Sequence, residues 1–278
     1  MRRTGFVDAV DGLGQHDHIC WVFHTLEQFR QAAGRFLTDG VAAGQQVIYL
    51  AEGASATELD HVAGFAAARM SGAALVQDLG IYEPLRPVDA AAQVAEYERA
   101  TDQALAAGFT GLRVAAQVTP LARTPAQLDA FTRYEHHADA LMIRRPFSAM
   151  CGYHAGELSA AAVAELASMH PLATPGSTPL RMFPSAQPEV TAVLAGEVDL
   201  AGRRLLHDVL RRVDLTPVDG AVTIDARDLT FLDHRGLFQL VDQVRARGAT
   251  TVLHVAERSP VRLVAELLAL PDVRLVMS

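Results

Sequence analysis

The feature that most constrains this chain is an alternation. From residue 18 onward, short apolar runs are followed by stretches whose apolar positions recur at helical spacing. HICWVFH, QQVIYLAEG, GLRVAAQV and FSAMCGY read as buried strands. Between and after them, LEQFRQAAGRFLTDG, ATELDHVAGFAAARM, DAAAQVAEYERATDQALAAG, TPAQLDAFTRYEHHADAL and GELSAAAVAELASMH read as helices. Strands that are apolar throughout, joined by helical crossovers, predict a mostly parallel sheet with helices on both faces. In PLATPGSTP, residues 171–179, prolines with Gly, Ser and Thr break every period and predict a linker. Beyond it a second, smaller α/β domain is predicted, with strands at LRMFP, EVTAVLAG, AVTIDA and TTVLHVA and helices at LAGRRLLHDVLRRV, RGLFQLVDQVRARG and PVRLVAELLAL. The expected domains are therefore residues 1–172 and 179–278.

Composition removes several function classes. No stretch approaches the roughly 20 apolar residues of a membrane helix, and MRRTGFVDAVDGLGQHD lacks the apolar run of a signal peptide, so a cytoplasmic protein is expected. The net charge of -8 comes without a basic cluster, which argues against direct nucleic-acid binding. Cys20 and Cys151 are the only cysteines and are expected as free thiols rather than a bridge. All 24 basic residues are arginine, which excludes a phosphate-loop lysine or a Schiff-base lysine. No nucleophile elbow or phosphate loop occurs, and the first strand-to-helix connection, FHTLEQF, has no glycine to wrap a phosphate. The expectation is a binding protein rather than an enzyme, with no cofactor specified.

In the second segment, Asp199 and Asp233 fall where a strand hands over to a helix, so their carboxylates suit the free amides of a first helical turn. GEVDL, AVTIDARDLTFLDHRGL and TTVLHVAERSPV follow one another at close intervals. Together they resemble the STAS domain of anti-sigma factor antagonists over residues 179–278. That family carries Asp-Ser-x-Gly at the second handover, where an anti-sigma kinase of the GHKL class phosphorylates the hydroxyl. Here Asp233 and Gly236 are kept, His234 stands at the phosphoacceptor position, and Arg235 follows it. The resemblance implies an anti-sigma factor or other STAS proteins as partners, at a docking face that has lost its phosphate switch.

In the first segment, GQHDHICWVFHTLEQFRQAAGRFLTDGVAAGQQVIYL, GLRVAAQVT, RYEHHAD and FSAMCGYHAGEL resemble the MEDS sensory domain over about residues 13–172. The likeness implies a RecA-like sheet without its phosphate loop and a small-molecule ligand, for which hydrocarbon derivatives have been suggested. Carried over residue by residue, it points to His18, Cys20, Arg113, Glu135, Cys151 and Tyr153. Ligands of open α/β sheets bind at the carboxyl ends of strands, which adds His24, Glu52 and Gln117. Arg113 has a second reading, as a buried ion-pair partner of Glu135. No metal site is assigned. The alternatives are a scaffold or homodimerisation module that binds nothing small, and a metal or redox sensor in which His16, His18 and Cys20 share one face of the first strand.

Overall fold

A computed structural model describes residues 2–277, and the chain divides into two compact units between Ser177 and Thr178. The first unit contains β1 (Gly5–Phe6), β2 (His18–Phe23), α1 (Leu26–Ala42), β3 (Gln46–Ala51), α2 (Phe65–Met70), β4 (Ala74–Asp78), α3 (Ala90–Ala106), β5 (Leu112–Gln117), α4 (Pro125–Arg144), β6 (Phe147–His154), α5 (Ala160–Ala167) and β7 (Leu172–Ala173). Its seven strands form one sheet in the order β1-β7-β2-β6-β5-β3-β4, and each of its strand pairs is parallel.

Alternate strand residues feed two cores. Ile19, Phe23, Val47, Tyr49 and Ala115 pack on one face against Phe29, Phe36 and Leu37 of α1 and Phe65 of α2. Cys20, Leu112, Val114, Cys151 and Tyr153 pack on the other against Tyr97 of α3, Phe131 and Leu141 of α4 and Val163 of α5. Gly152 lets α1 close onto β6, because a Cβ there would stand 2.4 Å from Cε2 of Phe29.

Two local expectations change. The stretch ATELDHVAGFAAARM is helical only from Phe65, since Gly64 adopts φ 80 and breaks the period. Leu172 and Ala173, read as linker, are instead β7, paired with both β1 and β2. The prolines that signal the break flank those two residues, whose own apolar side chains are buried.

The second unit contains β8 (Leu180–Pro184), β9 (Ala192–Val198), α6 (Arg203–Leu210), β10 (Ala221–Asp225), β11 (Leu229–Leu232), α7 (His234–Arg245), β12 (Thr250–Val255), α8 (Pro260–Leu268) and β13 (Val273–Met277). β8 pairs antiparallel with β9, and the other pairs of this six-stranded sheet are parallel. The amphipathic α7 buries Leu237, Leu240, Val241 and Val244 and leaves its other face wet. Among the described residues no helix is long and apolar enough to cross a membrane.

Candidate functional site

The first unit gathers its polar side chains inside an apolar layer. His18 opens β2, and Cys151 and Tyr153 lie on β6, the neighbouring strand, with Cys20 and Cys151 in register. Strand alternation turns His18, Cys20, Cys151 and Tyr153 to the face that carries α4 and α5. Thr124 opens α4 with a capping box closed by Gln127. Helical spacing then sends Phe131, Ala138 and Met142 into the core and carries Glu135 and Asp139 with them. His170 follows α5 and is fully buried.

These groups touch one another. His18 Nδ1 lies 3.0 Å from Asp139 Oδ1, which also takes the guanidinium of Arg2 as a buried ion pair. On its other side, His18 Nε2 stands 3.3 Å from Glu135 Oε2 and 3.6 Å from Cys151 Sγ. Cys151 Sγ is 3.5 Å from the same Glu135 oxygen, and the Tyr153 hydroxyl donates to the other, Oε1. His170 donates from Nδ1 to the Leu166 carbonyl at 2.8 Å, and its Nε2 faces Glu135 Oε2 at 3.7 Å. That nitrogen has no hydrogen-bond partner among the described residues. The ligand atoms of His18, Glu135, Cys151 and His170 all lie within 4.8 Å of one another.

Burial sets the protonation. It drives His18 well below the ordinary imidazole range, with the Arg2 charge adding to the effect, and holds His170 down at about 3. It raises Glu135, against the opposing pull of His170, Tyr153 and Cys151, and it raises the Cys151 thiol, which the Glu135 charge raises further. Two neutral imidazoles, one carboxyl and one thiol therefore face a common point. Imidazole, carboxylate and thiol are the donor types that bind borderline divalent ions.

Beside this cluster is a cavity of about 10 Å³, enough for about one water. Glu135 and Cys151 line it together with apolar side chains and three tyrosines. The hydroxyl of Tyr82 donates to Tyr97 at 2.7 Å and lies 3.2 Å from that of Tyr134.

The other expected residues fall elsewhere. Arg113 and Gln117 turn to the α1 side of β5, because they alternate with Val114 and Ala116, which face α4. Arg113 donates to Gln45, Phe36 O and Leu13 O and stacks on Phe36, so the suggested pair with Glu135 does not form. His24 is exposed beside the α1 cap, and exposed Glu52 stands 3.7 Å from Arg123. His16, with φ 79, lies outside the extended run and donates to Met142 O, so His16, His18 and Cys20 do not form a three-ligand face. The centre of polar chemistry is under the middle of the sheet, not at the carboxyl ends of the strands. Cys20 is buried next to it and, like Cys151, is a free thiol. Sequence reading missed Arg2, Asp139 and His170. The one-turn spacing of Glu135 and Asp139 on an amphipathic helix was the available signal; His170 lies well apart in sequence from its partners.

In the second unit, Asp233 caps α7 by accepting from Gly236 N at 2.8 Å and from Arg203 Nε at 2.7 Å. Partial burial raises its carboxyl, but Arg203 and the Gly236 amide outweigh that and hold it below the usual range. Asp199 accepts from Gly202 N, closing the turn before α6. His234 and Arg235 are exposed on the first turn of α7, and the His234 ring meets the edge of Phe238 at 6.3 Å. A Cβ on Gly236 would stand 2.7 Å from Leu232 Cδ1 and 3.0 Å from Val198 Cγ1, so glycine lets the helix start close to the sheet.

A family model described as MEDS, MEthanogen/methylotroph, DcmR Sensory domain, matches residues 17–171. No curated protein matches the chain.

Proposed function

Because the chain belongs to the MEDS family of sensory domains, we propose that its first unit binds a small molecule beside the His18–Glu135–Cys151–His170 cluster and reports it through the second unit. The observation that carries this is polar convergence in an otherwise apolar layer, next to a cavity lined by three tyrosines. Binding pockets combine apolar walls with a few placed polar groups in this way. The cavity holds about one water, so a larger ligand must displace core side chains. A ligand controls output only by binding two conformations unequally, and that displacement supplies the difference.

The second unit is read as a STAS module that docks an anti-sigma factor of the GHKL kinase type, or another STAS protein. Support comes from the Asp233–Gly236 helix cap, with His234 at the phosphoacceptor position, and from Phe231 and Phe238, both partly exposed near it. His234 offers no hydroxyl, so control passes to the first unit. The role is binding rather than catalysis.

Native and denaturing mass spectrometry of the full chain tests the sensor, with a discrete small-molecule adduct lost on denaturation as the expected result. A bare chain, together with kinase affinity unchanged in Glu135→Gln, would reduce the first unit to a scaffold. For the second unit, a GHKL anti-sigma kinase with ATP should phosphorylate His234→Ser and leave the unsubstituted chain unmodified. Phosphate on His234 itself would overturn loss of the switch.

A further inference from the structure

The hydrogen bonds around the buried cluster leave a gap that a proton cannot fill. His170 must carry its hydrogen on Nδ1, because that nitrogen faces a carbonyl, so its Nε2 presents a lone pair. His18 faces the carboxylate of Asp139 through Nδ1, so its Nε2 also presents a lone pair. Tyr153 occupies Oε1 of Glu135 and leaves Oε2 turned toward both nitrogens and the Cys151 sulfur. A proton on Glu135 or on the Cys151 thiol can serve His18, but 3.7 Å from Glu135 to His170 is too long for a hydrogen bond and leaves that nitrogen without a donor.

The spacing fits a cation. A tetrahedral zinc ion with bonds of about 2.0–2.2 Å to nitrogen and oxygen and about 2.3 Å to sulfur sets its ligand atoms about 3.3–3.6 Å apart. The observed edges are 3.3 Å from His18 Nε2 to Glu135 Oε2, 3.5 Å from Glu135 Oε2 to Cys151 Sγ, 3.6 Å from Cys151 Sγ to His18 Nε2 and 3.7 Å from Glu135 Oε2 to His170 Nε2. The two remaining separations both involve His170 and do not exceed 4.8 Å. The outer contacts match as well. A ligating histidine donates its other nitrogen to a carboxylate or a backbone carbonyl, and His18 does the first and His170 the second.

We infer that His18, Glu135, Cys151 and His170 form a buried site for a divalent transition ion of the zinc class. On binding, the Cys151 thiol proton and the proton on Glu135 leave to solvent as the metal–sulfur and metal–oxygen bonds form, so that Glu135 binds as carboxylate. Thiolate and carboxylate together balance the two charges of the ion, which a buried site requires. The ion takes the place of the missing donors. The inference stands on this geometry whether or not a small molecule also binds.

The test is metal content of the full chain, purified without chelator and then equilibrated with Zn²⁺ alone. One zinc per chain is expected after desalting, with none retained by folded Cys151→Ser or His170→Gln. Folded Asp139→Asn, which changes an outer contact of His18 and neutralises the partner of Arg2 but keeps all four ligands, should weaken zinc by about 10–100-fold in competition with a chelating dye. If the ligand variants do not fold, Co²⁺ loading of the unsubstituted chain and of Cys20→Ala decides. A thiolate-to-cobalt absorption band in both assigns the sulfur to Cys151. No zinc in the loaded wild-type chain, no such band, or equal zinc in the folded ligand variants would overturn the site. A small-molecule adduct without metal would remove the metal and keep the sensory reading; zinc without an adduct, together with kinase affinity unchanged in Glu135→Gln, would keep the metal and remove the sensory reading.

Discussion

The two units place their polar groups in opposite solvents. In the first, His18, Glu135, Cys151 and His170 are shut into a core and can be satisfied only by other buried groups or by something that enters. In the second, Asp233 is tied down by Arg203 and Gly236, while His234 and Arg235 stay in water. A buried site gains selectivity because an unsatisfied polar group costs about 1–3 kcal/mol, so a wrong occupant is penalised. A surface site gains access, and its choice of partner rests on shape and charge. The first arrangement suits detection of a small species and the second suits docking of a protein.

Substitutions should separate the two regions by size of effect. The largest is expected for Asp139→Ala, which strands Arg2 and His18: breaking a buried pair costs about 3–5 kcal/mol, read as a lower urea midpoint of the full chain. A loss under about 1 kcal/mol would mean that Arg2 swings out to water and that the pair is not structural. Arg113→Met, on the opposite face, should cost about 2–3 kcal/mol by taking the Arg113 donor from the Leu13 carbonyl and from Gln45 Oε1. It should leave zinc content untouched, which separates general core damage from damage to the site. In the second unit, Gly236→Ala should cost about 1–3 kcal/mol, since its Cβ meets Leu232 and Val198 and the start of α7 must shift. His234→Ser should change stability by less than about 0.5 kcal/mol in the same denaturation, because the side chain is exposed and its ring makes only an edge contact. A larger loss would give His234 a structural role and weaken its reading as a docking residue.

Much of the architecture is visible in the residues themselves. HICWVF, QVIYLA, LRVAAQ and FSAMCGYH are apolar enough to demand cover on both sides, and they became β2, β3, β5 and β6 of a parallel sheet. β1 and β7, toward one edge of the sheet, and β4 at the other edge escaped notice: β1 and β7 have two residues each, too few for any period to show. Of the first-unit candidates, His18, Cys20, Glu135, Cys151 and Tyr153 come together, while His24, Glu52, Arg113 and Gln117 do not join them. The general rule for open sheets pointed to the carboxyl edge, whereas strand alternation decides which face a side chain takes. Arg113 shows the limit of reading one residue at a time: its strand position was plain, but only the pairing of β5 with its neighbours says whether α1 or α4 lies over it.

By itself, the sequence determined the strand and helix periods, the Asp233 cap and the absence of any lysine chemistry, because each is a local property of composition or spacing. Tertiary structure alone decided that His170, at the end of one crossover, meets His18 at the start of a strand and Glu135 on the helix of another crossover. Such convergence depends on strand order and on which face each helix covers, and neither is encoded within any one segment.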